Sequence, residues 1–154
     1  MLVRILLPVT LLFFTLPCAA AYDPMQIKQF INDERALFQI KQWHGNDAAQ
    51  QWSAESEIEL LTVEINPDHT KIGTPYFSPS LRKAAKARCT AVASLALGAT
   101  TAEEQAAIEA VMDKAKQYHR RQSFEINNVR FDAIPVVEGP FVTMYCSVTI
   151  ISAS

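Results

Sequence analysis

The chain has 154 residues, 14 Lys or Arg against 16 Asp or Glu, and a formal charge of −2 at neutral pH. Such mild acidity gives no general attraction to nucleic acid, and no stretch after residue 21 has the unbroken apolar length of a membrane span. Histidines are few and never three or four apart, so no metal-ligand spacing is present.

Residues 1–21 read as a cleaved secretory signal peptide. Arg4 gives a positive start, Ile5 to Leu16 is a short, mostly apolar run, and Pro17 breaks it. Ala19, Ala20 and Ala21 then place small residues before a signal-peptidase cut. Cys18 follows Pro17, where a lipobox needs Gly or Ala, so it leaves with the signal. Arg4 is the only charged side chain of that segment, and its removal takes the charge from −2 to −3. Residues 22–154 are expected to form a single α+β domain, periplasmic or secreted. The lack of an Asn-x-Ser/Thr acceptor fits a periplasmic setting.

Asp23 and Pro24 have the chemistry of a helix start, and Ile27, Phe30, Ile31, Leu37 and Phe38 recur on one face. This predicts an amphipathic helix of about four or five turns that fades near Gly45-Asn46. Glu57 to Ile65 alternates as a strand, with a phase change or bulge at Leu60-Leu61, and Glu57 and Glu59 share its wet face. Asn66-Pro67-Asp68 turns the chain, and Thr70 to Thr74 returns as a short edge strand.

The middle of the chain is helical. Ser78-Pro79 or Ser80 starts a second helix whose stripe is Leu81, Ala85, Cys89, Val92 and Ala96, and Gly98 ends it. Thr101 and Glu104 make a capping box for a third, with Ile108, Val111, Met112 and Ala115 inward. So short a link makes the two an antiparallel hairpin. The tail is β: Phe124 and Ile126 alternate, Val129 and Phe131 resume out of phase across Asn127-Asn128, and Glu138-Gly139-Pro140 turns the chain. Val142 to Ile150 then keeps five side chains on one face. The order predicts a small antiparallel sheet of three to four strands, with the αα-hairpin and the N-terminal helix packed on it.

Cys89 lies on the apolar stripe of the second helix and Cys146 on the apolar face of the last strand. Both thiols therefore point into one helix–sheet interface, and a single disulfide is expected there. Tyr145-Cys146-Ser147 lacks the nearby cation that a reactive thiolate needs. No nucleophile elbow or Ser-x-x-Lys pattern appears, and no cofactor is implied.

Charge is unevenly placed. Arg82, Lys83 and Lys86 fall in the first turns of the second helix, and Lys114, Lys116, His119, Arg120 and Arg121 near the end of the third. In an antiparallel hairpin these ends adjoin, giving a basic pole on an acidic molecule. The helix dipole favours cations at the end of the third helix only. Tyr76 and Phe77 lie on the proline-stiffened loop entering the second helix and offer contact area.

These features lead to an expectation of a non-catalytic exported binding protein, inhibitor- or immunity-like, whose pole docks a protein with an acidic surface. An alternative is a small-ligand carrier or hydrolase with a pocket between the first helix and the sheet, served by His44 or His119. Anionic envelope components are a further candidate partner for the same pole.

Overall fold

The computed structural model describes residues 22–99 and 101–151. The signal-peptide reading of residues 1–21, with Cys18, lies outside the described residues. Asp23 caps α1 (Pro24–Asp33), its Oδ1 accepting from the backbone N–H of Met25 at 3.0 Å and of Gln26 at 3.3 Å. Ile27 and Ile31 are its buried stripe. The predicted long helix does not continue. Glu34 ends α1, a single turn α2 (Arg35–Phe38) follows, and Gln39 takes a left-handed φ of 46° that turns the chain into a strand.

Four strands then run as a meander: β1 (Ile40–Asn46), β2 (Gln51–Ser56), β3 (Thr62–Ile65) and β4 (His69–Pro75). The expected strand from Glu57 is shorter, because Glu57 and Glu59 belong to the β2–β3 connection, where Leu60 has φ 63°. Ser78 caps α3 (Pro79–Leu97) and Gly98 closes it at φ 64°. Thr101 and Glu104 form the capping box of α4 (Ala102–Tyr118). A second meander completes the fold: β5 (Gln122–Ile126), β6 (Val129–Glu138) and β7 (Phe141–Ile150). Asn127 and Asn128 have φ of 52° and 60°, the two left-handed residues of a tight hairpin turn.

The sheet is therefore larger than expected. Seven strands, not three or four, pair antiparallel in the order β1-β2-β3-β4-β7-β6-β5. β4 is no edge strand, since it joins the two meanders by pairing with β3 and β7. Edge position falls to β1 and β5.

Helices cover one face. On that face Val63, Ile65, Ile72, Phe131, Met144 and Val148 meet Ile31, Val92, Ala96, Ile108 and Met112 in one buried core. The opposite face carries Lys71, Tyr145, Ser147 and Thr149 among its central residues, as a half-solvated antiparallel sheet requires. There the Tyr145 ring lies over Gly73, where an added Cβ would fall 2.7 Å from the ring, and Lys71 Nζ stands 4.7 Å from the ring centroid.

Cys89 of α3 and Cys146 of β7 form the expected disulfide, with Cα atoms 5.9 Å apart. Beside it Arg88 is buried at 5% exposure. Its Nε donates to the Leu37 carbonyl at 2.5 Å and its Nη1 to Thr74 Oγ1 at 3.0 Å, and no carboxylate partner is present among the described residues. Burial lowers the pKa of this guanidinium from its ordinary value. Arg88 thus ties α3 to α2 and β4 while the disulfide ties it to β7. Among the described residues no helix is long and apolar enough to cross a membrane.

Candidate functional site: the basic pole

The pole is built by two helix ends and a hairpin tip. α3 starts where α4 finishes, and Lys86 links them through Asp113 Oδ2 at 2.9 Å and Glu109 Oε2 at 3.7 Å. This carboxylate pair holds the Lys86 ammonium above its usual pKa, mainly through the Asp113 hydrogen bond. Lys86 is therefore a bridge between helices and is partly neutralised. Arg82, Lys83, Lys116, His119, Arg120 and Arg121 make no ion pair among the described residues. Arg120 instead lies 5.6 Å from the ring centroid of Tyr118. Lys83, Lys116, His119, Arg120 and Arg121 are exposed, and Arg82 is half-buried.

A cavity of about 140 Å³ opens in this pole. Tyr76, Phe77, Pro135, Val137 and Val142 supply its apolar lining, and Arg82, Lys116 and His119 its polar lining. Tyr76 is buried to 5% exposure and Phe77 is exposed. Burial first, then the Asp113 charge, pushes the Tyr76 hydroxyl to a raised pKa. Phe77 packs edge-on against Phe141, with ring centroids 5.4 Å apart. His119 ends α4 in a left-handed conformation, φ 50°, which turns the chain beside the cavity.

Of the six large apolar side chains exposed among the described residues, four (Phe77, Tyr118, Val137 and Phe141) belong to the α3 entry, the end of α4 or the β6–β7 tip. Two of these signals were readable only in part. Val137 and Phe141 flank the Glu138-Gly139-Pro140 turn, but their place near Phe77 depends on the β4–β7 pairing, which brings Pro75 opposite Thr143. Arg88 carries a sequence signal of its own, a cation between Ala85 and Val92 on an apolar stripe, and the structure buries it as a tie.

The structure separates the other candidates. His44 lies on the open face of the sheet, 3.9 Å from Glu55 Oε2, with both side chains more than half exposed. His69 Nδ1 meets Asp68 Oδ1 at 2.7 Å, which lowers the Asp68 pKa. The other ring nitrogen is taken by the Asn66 side-chain amide at 3.1 Å, so this pair activates no nucleophile. Between α1 and β1 a cavity of about 260 Å³ is lined by Met25, Lys28, Gln29, Asn32 and Trp43, without a histidine. The first-helix pocket and the two histidines proposed to serve it are thus in three different places. No group of three His, Cys, Asp or Glu suited to a metal occurs among the described residues.

Comparison of the chain with protein-family models, curated proteins and solved structures found no match.

Proposed function

We propose that the chain is a small exported binding protein without catalytic activity, inhibitor- or immunity-like in action, that docks an acidic macromolecular partner on the basic pole. One observation carries this reading: unpaired cations and exposed aromatics share a single pole. Arg82, Lys83, Lys116, Arg120 and Arg121 have no carboxylate partners among the described residues, and Phe77, Tyr118 and Phe141 are exposed at the same ends. Charge of one sign steers a complementary surface in, and aromatics desolvated on contact supply most of the binding energy. Export is supported by the N-terminal apolar stretch, and the disulfide is consistent with an oxidising compartment.

The test is a charge reversal that leaves Lys86 and its interhelical bridge intact. A photo-crosslinking side chain at Phe77 in the producing cell should yield one discrete adduct. The Arg82→Glu, Arg120→Glu, Arg121→Glu variant should fold normally by circular dichroism and lose that adduct. An adduct that survives reversal, or one formed equally from a control position at Glu125, overturns the reading. Sedimentation with anionic vesicles separates a protein partner from an envelope surface. Binding to vesicles that collapses above about 0.15 M salt replaces the protein partner by lipid headgroups.

A further inference from the structure

Cations and exposed aromatics would suffice for a docking surface, yet this pole also surrounds a hole. Tyr76, Phe77, Pro135, Val137 and Val142 make up its largely apolar side, and Arg82, Lys116 and His119 complete its lining. Its volume of about 140 Å³ matches the engineered apolar cavity of about 150 Å³ that accepts benzene. One phenyl or isobutyl group fits that volume. An apolar group that fills it removes carbon surface from water.

The donors set what must accompany that group. Arg82 presents a planar guanidinium with no carboxylate partner among the described residues, the fork that pairs with both oxygens of a carboxylate. Lys116 and His119 add two further N–H donors to the same lining. Because these residues line the cavity itself, an anion carried by the same residue whose side chain fills it reaches them most directly. Inside a polypeptide that residue offers only amides on its backbone. At a chain end it offers an α-carboxylate.

We infer that the cavity captures the C-terminal residue of the partner: an apolar Phe- or Leu-type side chain inside, its α-carboxylate on Arg82, Lys116 and His119. The inference rests on the docking reading of the pole and names the group by which the partner is recognised. It also separates two jobs. Lys83, Arg120 and Arg121, which do not line the cavity, steer acidic surfaces, and the cavity selects the chain end.

Short peptides test it without knowledge of the partner. Acetyl-Gly-Gly-Phe with a free carboxylate is titrated into isotopically labelled protein and followed by amide chemical shifts. Shifts should cluster on residues around Tyr76, Arg82, His119 and Val137, with a dissociation constant of about 1 mM, ordinary for a ligand of this size. The C-terminal amide and the peptide ending in Ala should each bind at least about tenfold more weakly. Arg82→Gln should shrink the difference between acid and amide, and Arg82→Gln/Lys116→Gln should nearly remove it, with the fold intact by the same spectra. Equal binding of acid and amide overturns the inference, as does preference for an internal Asp-Phe peptide capped at both ends. No shift at the cavity at any peptide concentration does so too. If those results appear while an Arg120→Glu/Arg121→Glu variant, which leaves Arg82 in place, abolishes the adduct at Phe77, the pole docks its partner without the cavity. Only the chain-end inference then fails.

Discussion

Reduction of the Cys89–Cys146 bond tests how much of this fold depends on one covalent link. The bond closes a loop with a sequence separation of 57 residues. In the chain-entropy relation a loop of that length removes about 14 cal/mol/K from the unfolded ensemble, or about 4 kcal/mol at room temperature. Small domains have total stabilities of about 5–15 kcal/mol, so reduction should remove a large fraction. Cys89→Ala/Cys146→Ala should cost about 1–2 kcal/mol more, because both side chains are buried and leave small voids.

Urea unfolding with and without a phosphine reductant measures this. With an m value of about 2 kcal/mol/M, reduction should lower the midpoint by roughly 2 M. A reduced protein that unfolds within about 0.5 M of the oxidised one would refute the reasoning. Hydrogen exchange identifies the state on which the bond acts. If it acts on the unfolded chain, globally exchanging amides should lose protection by one common amount. This includes those of β2 and β3, which lie outside the loop. Loss confined to α4, β5 and β6 would instead place the effect in the native state. Labelling of two thiols in intact protein before reduction would show that the bond does not form.

Three further outcomes follow from particular contacts. The Tyr22 hydroxyl donates to the Asn66 carbonyl at 2.7 Å and bonds Thr70 Oγ1 at 2.9 Å, and burial raises its pKa to about 12. Between pH 10 and 12 the unfolded chain releases this proton while the native state keeps it, so stability is full below pH 10 and falls by about 2 kcal/mol across that window. Tyr22→Phe should be less stable at neutral pH and should flatten the alkaline decline seen in urea titrations. Gly73→Ala places a Cβ 2.5 Å from Thr62 Oγ1 and 2.7 Å from the Tyr145 ring, and should cost about 1–3 kcal/mol. Adding Tyr145→Ala should cost less than the two single changes together. His119→Gly relieves a φ of 50° and should raise stability by about 1 kcal/mol in urea unfolding, while weakening capture of the Phe-ended peptide.

The two long helices were legible because each end carries its own signal. Ser78-Pro79 and Gly98 bound α3, and Thr101 with Glu104 opens α4, as local backbone chemistry requires. β7 was legible because its five inward residues meet the core under the helices. β1 and β2 were not legible. Trp43 and Ala54 face the helices only at the sheet margin, and the residues between them are mostly exposed and polar, so no alternation survives in the sequence. Leu37 and Phe38 prolonged the helical period to the one position, Gln39, where a left-handed residue stops it. β4 reads as an edge because nothing local announces its pairing with β7, which follows only after both long helices. The pole was legible for a different reason: it depends on a short interhelical link, not on strand register. The cavity within it was not, because its walls come from β6 and β7 as well, at positions set by the pairing of Val137 with Val142.

The two helices that meet at the pole handle charge in opposite ways. α4 has Glu103 and Glu104 in its first turn and Lys116 in its last, the arrangement its dipole favours at both ends. α3 has no acidic residue in its first turn and none of the basic kind in its last. Arg82 and Lys83 lie at its positive end instead, each opposed by a few tenths of a kcal/mol. Lys86 recovers its share through Asp113 and Glu109, but Arg82 and Lys83 have no such pair among the described residues. The same end exposes Phe77 to water and closes α4 on a strained His119. Each feature alone is minor, but all four lower stability and all four concentrate at one end of the molecule. α3 tolerates them because Cys89, Arg88 and the Ala85–Val92–Ala96 stripe anchor it independently of its first turn. A helix held so firmly downstream can carry these costs at its start, the end to which the proposed docking surface is assigned.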